Sequence, residues 1–239
     1  MFFLDSSDPE EIKDIFAWGV VSGVTTNPLI LAREAGGADL GKRIQGVLAA
    51  SHGHVSVELT TETEGAMLEE AQEYHSWSPE RICIKVPFTA IGLRVTHALT
   101  RQGVATNVTC LMSFNQAYLA ALAGGTYVSI FSGRVRDMGY DVRPVIAETR
   151  AQIDREGLKS KIIVGSVRHF MDVNESLFAG AHIVTVPPPI LRKMLHNPKT
   201  DETIREFNTA WANRSTMGAP LAAAASSAPK PPAKMGQSG

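Results

Sequence analysis

The feature that most constrains this chain is an alternation. A short apolar run is followed by a helix-patterned stretch, and the pair recurs about eight times before the sequence turns polar. The apolar runs fall at residues 2–4, a stretch ending at Val24-Thr25, then 55–59, 81–87, 104–109, 127–131, 161–164 and 182–186. They are rich in Val and Ile and bounded by turn residues, which is the pattern of buried strands. Between them lie helix signals. Ser7 or Asp8 before Pro9-Glu10-Glu11 supplies a cap, a first-turn proline and early acids, and Ile12, Ile15 and Phe16 follow at helical spacing. Ile91, Val95 and Leu99 recur every fourth residue through 89–102, and Gly103 then stops that helix. Further helices are expected over 40–50, 63–74, from Ser113 to Ala123, 143–156, 173–179, 190–196 and 201–213, with a break at Gly36-Gly37.

Strands that alternate with helices must run parallel, each joined to the next by a crossover. Eight such units in about 210 residues predict an α/β fold of the (β/α)₈, TIM-barrel type: a single domain over 1–213 with an extra C-terminal helix. A doubly wound open sheet would carry a glycine-rich phosphate turn after its first strand, where this chain has Asp5-Ser6-Ser7. Residues 214–239 are mostly Ala, Ser, Pro and Lys and predict a flexible tail that buries too little to order itself.

Bulk properties exclude several classes of function. The net charge of −1 leaves no electrostatic footprint for nucleic acid, and no apolar run reaches the length of a membrane span. The start Met1-Phe2-Phe3-Leu4-Asp5 lacks the basic flank and length of a signal peptide, so a cytoplasmic location is expected. Cys83 and Cys110 both sit in strand-like runs and read as small buried hydrophobes, not as a disulfide. Neither a CxxC nor an HExxH pattern is present, and no metal or cofactor is expected.

One strand carries an awkward residue. In Arg81-Ile82-Cys83-Ile84-Lys85-Val86-Pro87 a lysine interrupts an apolar run. Lysine is almost never fully buried unless paired or used. Taken alone, Lys85 reads as a snorkelling side chain, with its stem in the core and its ammonium at the surface. The functional reading is an amine that burial keeps neutral often enough to attack a carbonyl.

The other strand ends decide between these readings. In a barrel the site forms where the strands finish. Those ends carry Asp5, Asn27, Glu58, Lys85, Asn107 with Thr109, Ser129, and Ser166 with Arg168, so every strand except the eighth contributes a polar group. Each has a plainer role in isolation: Asp5 as a helix cap, Asn27 before Pro28 as a turn residue, Glu58 on a solvent face, and Arg134 and Arg168 on the surface. A whole ring of them beside a lysine is costly unless it is used. The chemistry that fits is carbon–carbon bond cleavage through an imine on Lys85. Asp5 would move the proton, Glu58 would position water, and Arg134, Arg168 and Ser166 would grip a phosphate from late loops.

At these residues the chain resembles the transaldolase family, in the small-subunit branch that also contains fructose-6-phosphate aldolases. The resemblance spans about residues 1–213. It rests on Leu4-Asp5, Gly23-Val24-Thr25-Thr26-Asn27-Pro28, Ile84-Lys85-Val86-Pro87, Asn107-Val108-Thr109 and Ser129-Ile130-Phe131-Ser132-Gly133-Arg134. It implies Lys85 as the Schiff-base residue, Asp5 as general acid/base, and Glu58 and Thr109 as holders of the catalytic water. It further implies that Thr26, Asn27, Asn107 and Ser129 bind a dihydroxyacetone fragment, that Arg134, Ser166 and Arg168 bind phosphate, and that Phe131 walls the site. Glu58 and Phe131 resemble transaldolases, since the aldolases of this branch tend to carry Gln and Tyr there. The implied substrates are small sugar phosphates, with sedoheptulose 7-phosphate or fructose 6-phosphate as donor in pentose phosphate metabolism. The implied assembly is a homo-oligomer, a pentamer or a decamer, with the C-terminal helix packed on a neighbour. Arg136 departs from the pattern, because small members usually have an acid there. Its added charge keeps a sulfonated ketose, sulfofructose, open as an alternative donor. Two other readings stay open: release of free dihydroxyacetone, and a sugar-phosphate-binding barrel without catalysis.

Overall fold

The computed structural model describes residues 1–34 and 39–216. The expected Gly36-Gly37 break and the tail from 217 onward lie outside the described residues. The chain forms two compact units, Met1–Met194 and the segment from Leu195 onward.

In the first unit eight parallel strands close into a barrel in sequence order. They are β1 (Phe2–Asp5), β2 (Val21–Thr25), β3 (Val55–Glu58), β4 (Ile82–Pro87), β5 (Thr106–Leu111), β6 (Tyr127–Phe131), β7 (Lys161–Gly165) and β8 (Ile183–Val186). β8 pairs with β1 and completes the ring, so the fold is the (β/α)₈ barrel that the alternation predicts.

The crossover helices begin and end on local signals. In α1 (Pro9–Phe16) the Asp8 carboxylate accepts from Glu10 N at 2.9 Å and Glu11 N at 3.3 Å. That cap leaves Asp5 free for other work. Around the barrel follow α2 (Pro28–Glu34), α3 (Leu40–Ala50) and α4 (Glu64–Trp77). α5 (Ala90–Arg101) is capped by Thr89, and the chain turns out of it at Gly103 with φ of 76°. α6 (Phe114–Leu122) is capped by Ser113. The expected loop after β6 is instead a short helix, α7 (Ser132–Asp137), followed by α8 (Val142–Glu156). α9 (Phe170–Phe178) starts earlier than the apolar pattern suggests, because the Asp172 carboxylate accepts from His169 N at 2.9 Å and fixes the first turn there. The run Pro187-Pro188-Pro189 has a plain structural use: it ends β8 and places prolines in the first turn of α10 (Pro188–Lys193). In the second unit, α11 (Pro198–Ala212) is capped by Asn197 and buries none of its residues.

Strand alternation sorts the core into two parts. Val24, Val55, Val57, Ile82, Ile84, Val86, Val128, Ile130, Ile162 and Val164 point outward and pack with helix residues such as Ile12, Ile44, Leu99 and Ile146 in one buried cluster. Each such aliphatic side chain contributes roughly 1.5–3 kcal/mol when fully buried. The intervening residues point into the barrel. Phe3, Cys83, Tyr127, Ile163 and Ile183 form a second, smaller cluster that fills its lower interior. Gly23 makes room for it: a Cβ there would lie 2.6 Å from the Phe3 ring.

Candidate active site

The same parity brings the next inward residue of each strand to one level above this plug. Strand register sets Glu58 opposite Lys85 and Lys85 opposite Asn107, and likewise Asp5 opposite Thr25. Lys85 therefore points into the barrel, buried, with its Nζ 2.9 Å from Glu58 Oε2 and donating to the Thr26 carbonyl at 3.0 Å. The parity of Glu58, undecided from the sequence, is settled here: Val55 and Val57 face the helices while Ser56 and Glu58 face inward.

Above this level opens a cavity of about 420 Å³. Asp5, Asn27, Glu58, Lys85, Ser129, Phe131, Arg134 and Ser166 line it, and all were singled out in the sequence. Burial raises the Asp5 carboxyl above the ordinary carboxylate range, against the opposing pull of the Lys85 ammonium and of a hydrogen bond from Thr25. That bond runs from Thr25 Oγ1 to Asp5 Oδ1 at 2.7 Å.

Four expected site residues lie elsewhere than on the cavity wall. Thr26 is fully buried, and its hydroxyl donates to the Ser56 carbonyl at 2.8 Å. Thr25 takes the place in the cavity, because Gly23 and Thr25 share the inward parity and Thr26 lies one residue beyond. Asn107 is also fully buried. Its amide donates to Ser56 Oγ at 3.1 Å and accepts from Ser129 Oγ at 2.7 Å, so it acts on the wall through Ser129. Thr109 Oγ1 is buried with no hydrogen-bond partner among the described residues. The Arg168 guanidinium is engaged by the Asp137 carboxylate in a two-pronged ion pair.

At one end of the cavity, α7 and the turn after β7 meet through backbone contacts. Ser166 adopts a left-handed conformation with φ of 58°, and its carbonyl accepts from Gly133 N at 3.1 Å. A Cβ at Gly133 would stand 2.3 Å from that carbonyl and 2.8 Å from Arg168 Nε, so only glycine permits this approach. Arg136 pairs with both Asp172 and Glu175 of α9 and does not line the cavity.

Several contributors were not anticipated. Thr185 gives the eighth strand a polar inward residue, and its Oγ1 lies 2.6 Å from Thr25 Oγ1. Alternation from Ile183 was the available signal. Leu29 and Met112 add apolar wall. Cys110 requires a correction: it is exposed and lines the cavity, while Cys83 alone is buried, and both are free thiols. The reason is local. The β5–β6 register shifts between Val108 and Leu111, and Cys110 takes φ of 65°, which turns it out of the strand pattern. Partial enclosure of its sulfur by the cavity wall and the neighbouring Glu58 carboxylate raise the Cys110 thiol, and full burial pushes Cys83 up to about 12. Among the described residues no group of three His, Cys, Asp or Glu side chains is placed to hold a metal ion, and no helix is long and apolar enough to cross a membrane.

A closed parallel barrel whose mouth holds a buried lysine, two carboxylates and an arginine defines a class, the barrel proteins with a polar reaction chamber at the strand ends. The family profile described as Transaldolase/Fructose-6-phosphate aldolase matches residues 2–228. A probable transaldolase of Alkaliphilus metalliredigens (strain QYMF) is 40% identical over 209 residues, covering 87% of this chain and 96% of the relative. Probable transaldolase 2 of Listeria monocytogenes serovar 1/2a (strain ATCC BAA-679 / EGD-e) is 40% identical over 210 residues, covering 88% and 95%. The chain belongs to the transaldolase/fructose-6-phosphate aldolase family and is an enzyme of that family. Among solved structures, a doubly substituted flavocytochrome b2 with pyruvate bound superposes with a TM-score of 0.56 at 13% identity, covering 79% of this chain and 57% of that one. At that identity the likeness is one of fold alone.

Proposed function

We propose that the protein is a transaldolase that moves a dihydroxyacetone unit from a ketose phosphate to an aldose phosphate through a Schiff base on Lys85. The observation that carries this reading is the placement of the Lys85 amine: buried, between the Glu58 carboxylate and a backbone carbonyl, at the edge of a cavity that Asp5 also lines.

The steps follow from that arrangement. Lys85 in its neutral form adds to the donor's ketone carbon, and the ketone oxygen takes up protons and leaves as water. Glu58, with the unpartnered Thr109 hydroxyl, holds that water. The resulting iminium draws the electron pair of the carbon–carbon bond one carbon further along into an enamine. Asp5 takes the proton from the hydroxyl of the carbon that departs as an aldehyde. An acceptor aldehyde then receives the enamine carbon, Asp5 returns the proton to the new alkoxide, and water releases the product. Asn27 and Ser129 line the chamber beside the dihydroxyacetone carbons, with Asn107 fixing Ser129 and Thr26 fixing the lysine through its carbonyl. Arg134 and Ser166 receive the phosphate. Arg168 joins them by giving up its pair with Asp137.

Phe131 favours transfer over release of free dihydroxyacetone, since a phenyl ring on the cavity wall offers no hydroxyl to protonate the enamine. The pairing of Arg136 with Asp172 and Glu175 favours a phosphate donor over a sulfonated one, because the extra charge is already met. Ile204, Phe207 and Trp211, exposed on α11 at three- and four-residue spacing, support the homo-oligomer.

The test is borohydride reduction with fructose 6-phosphate, followed by peptide mass analysis. A stable three-carbon adduct on Lys85 is expected, together with donor turnover that requires erythrose 4-phosphate. An unmodified Lys85 refutes the Schiff base, and turnover without acceptor assigns the protein to the aldolases.

A further inference from the structure

Asp5 has to cycle between carboxylate and acid, yet the cation nearest to it among the reacting groups is Lys85, whose charge the chemistry consumes. The charged groups facing Asp5 are Lys85 on β4 and, on α2, Glu34 and Arg33. Its hydrogen-bond donor is Thr25 on β2, at 2.7 Å, and behind Thr25 stands Thr185 on β8, at 2.6 Å. Both threonines are buried, at 2% and 5% exposure.

A hydroxyl has one proton to give. When Asp5 is ionised, Thr25 spends its proton on Oδ1. The short contact to Thr185 is then satisfied only if Thr185 is the donor. We propose that Thr185 is a positioning residue for this reaction: by donating to Thr25 Oγ1 it orients the Thr25 proton onto Asp5 Oδ1, stabilises the ionised carboxylate and leaves Oδ2 to receive the substrate proton. When Oδ2 takes up the substrate proton, Oδ1 still accepts from Thr25, so the bond is kept but is weaker than the one to the carboxylate. The two hydroxyls thus hold one orientation through each cycle and favour the ionised form of Asp5. Bonds in such a chain polarise one another, so the far hydroxyl matters to the near one. The inference rests on the proposed role of Asp5.

The experiment compares Thr185→Val, which keeps the shape and removes the hydroxyl, with Thr185→Ser, which restores it. Two quantities are read on the full chain: the acid limb of the pH dependence of kcat/KM, and the midpoint of the Asp5 carboxyl by ¹³C NMR without substrate. Loss of the donor disfavours the carboxylate, so both midpoints in Thr185→Val are expected to move up by about half a pH unit, with Thr185→Ser returning to the wild-type values. Thr185→Ala, which introduces no misfit, is the second truncation and must shift the same way. Unmoved midpoints in both truncations, or a KM increase with an unchanged limb, overturn the proposal and make Thr185 merely a wall residue. The NMR midpoint needs no turnover, so it judges the role of Thr185 even if borohydride fails to trap Lys85 in the wild type.

Discussion

Removing the carboxylate beside Lys85 should unsettle the whole barrel. The Lys85 and Glu58 side chains are only 5% and 13% exposed, and their charged atoms are 2.9 Å apart. At an effective dielectric of about 20 their attraction is about 6 kcal/mol, most of which offsets the cost of taking both charges out of water. Glu58→Ala deletes the attraction and leaves the cost. Stranding one member of a buried pair costs about 3–5 kcal/mol. Lys85 keeps its bond to the Thr26 carbonyl, so the lower end, about 3 kcal/mol, applies. For a chain of this size each kcal/mol moves Tm by about 2–4 °C, so Glu58→Ala should melt about 6–12 °C below wild type. Glu58→Gln, which keeps an acceptor oxygen, should lose about half as much. The decisive variant is the double Lys85→Met/Glu58→Leu. It removes both charges, fills the space with apolar atoms and should melt at or above wild type while losing all activity. Calorimetric scans at one protein concentration and about pH 7 read all three. If Glu58→Ala melts within about 2 °C of wild type, or the double variant melts as low as the single, the pair is not the buried liability argued here.

Other consequences are as direct. Because burial raises the Asp5 carboxyl, the folded protein binds more protons than the unfolded chain between the ordinary value of 3.8 and the raised value, so this group's contribution to stability is present below 3.8 and is lost as pH rises through the folded value. Asp5→Asn should therefore raise Tm at about pH 7, with a gain that shrinks as pH falls through that window, in scans at stepped pH. Arg134 lines the cavity and Arg136 is tied to Asp172 and Glu175. Steady-state kinetics should show KM for the phosphorylated donor rising about tenfold in Arg134→Ala, the loss of one charge-assisted hydrogen bond, and changing by less than about twofold in Arg136→Ala. Iodoacetamide should alkylate Cys110 faster as pH rises above about 8.5, because its thiol is raised, with loss of activity, while leaving the buried Cys83 unmodified, as read by peptide mass analysis. Gly23→Ala should cost about 1–3 kcal/mol in urea unfolding, and Phe3→Leu in the same chain should restore much of it, since the added Cβ meets the Phe3 ring.

Much of this architecture was legible in the residues because strand alternation and crossover helices are local patterns that a barrel only assembles. Asp5, Glu58 and Lys85 could be picked out as polar groups at strand ends for the same reason. What failed was counting at the level of one residue. Thr25 and Thr26 are the same amino acid side by side, and only the inward parity set by Gly23 says which one the chamber sees. Cys110 escaped because a shift in register reverses parity where no composition signal marks it. Arg168 illustrates a different gap. Its partner Asp137 lies 31 residues away, and a pairing across two loops leaves no trace in spacing.

The apolar plug of Phe3, Cys83, Tyr127, Ile163 and Ile183 makes the chamber a vessel with a sealed floor. Nothing the size of a sugar can leave through the bottom, so in the proposed transfer donor, acceptor and both products share one doorway at the top. On that proposal the first aldehyde must clear the doorway before the second can come in, while the three carbons held by Lys85 wait in between. Traffic of that kind imposes an order of events on the kinetics, with parallel lines in double-reciprocal plots, from nothing more than a ring of side chains on the far side of the reaction.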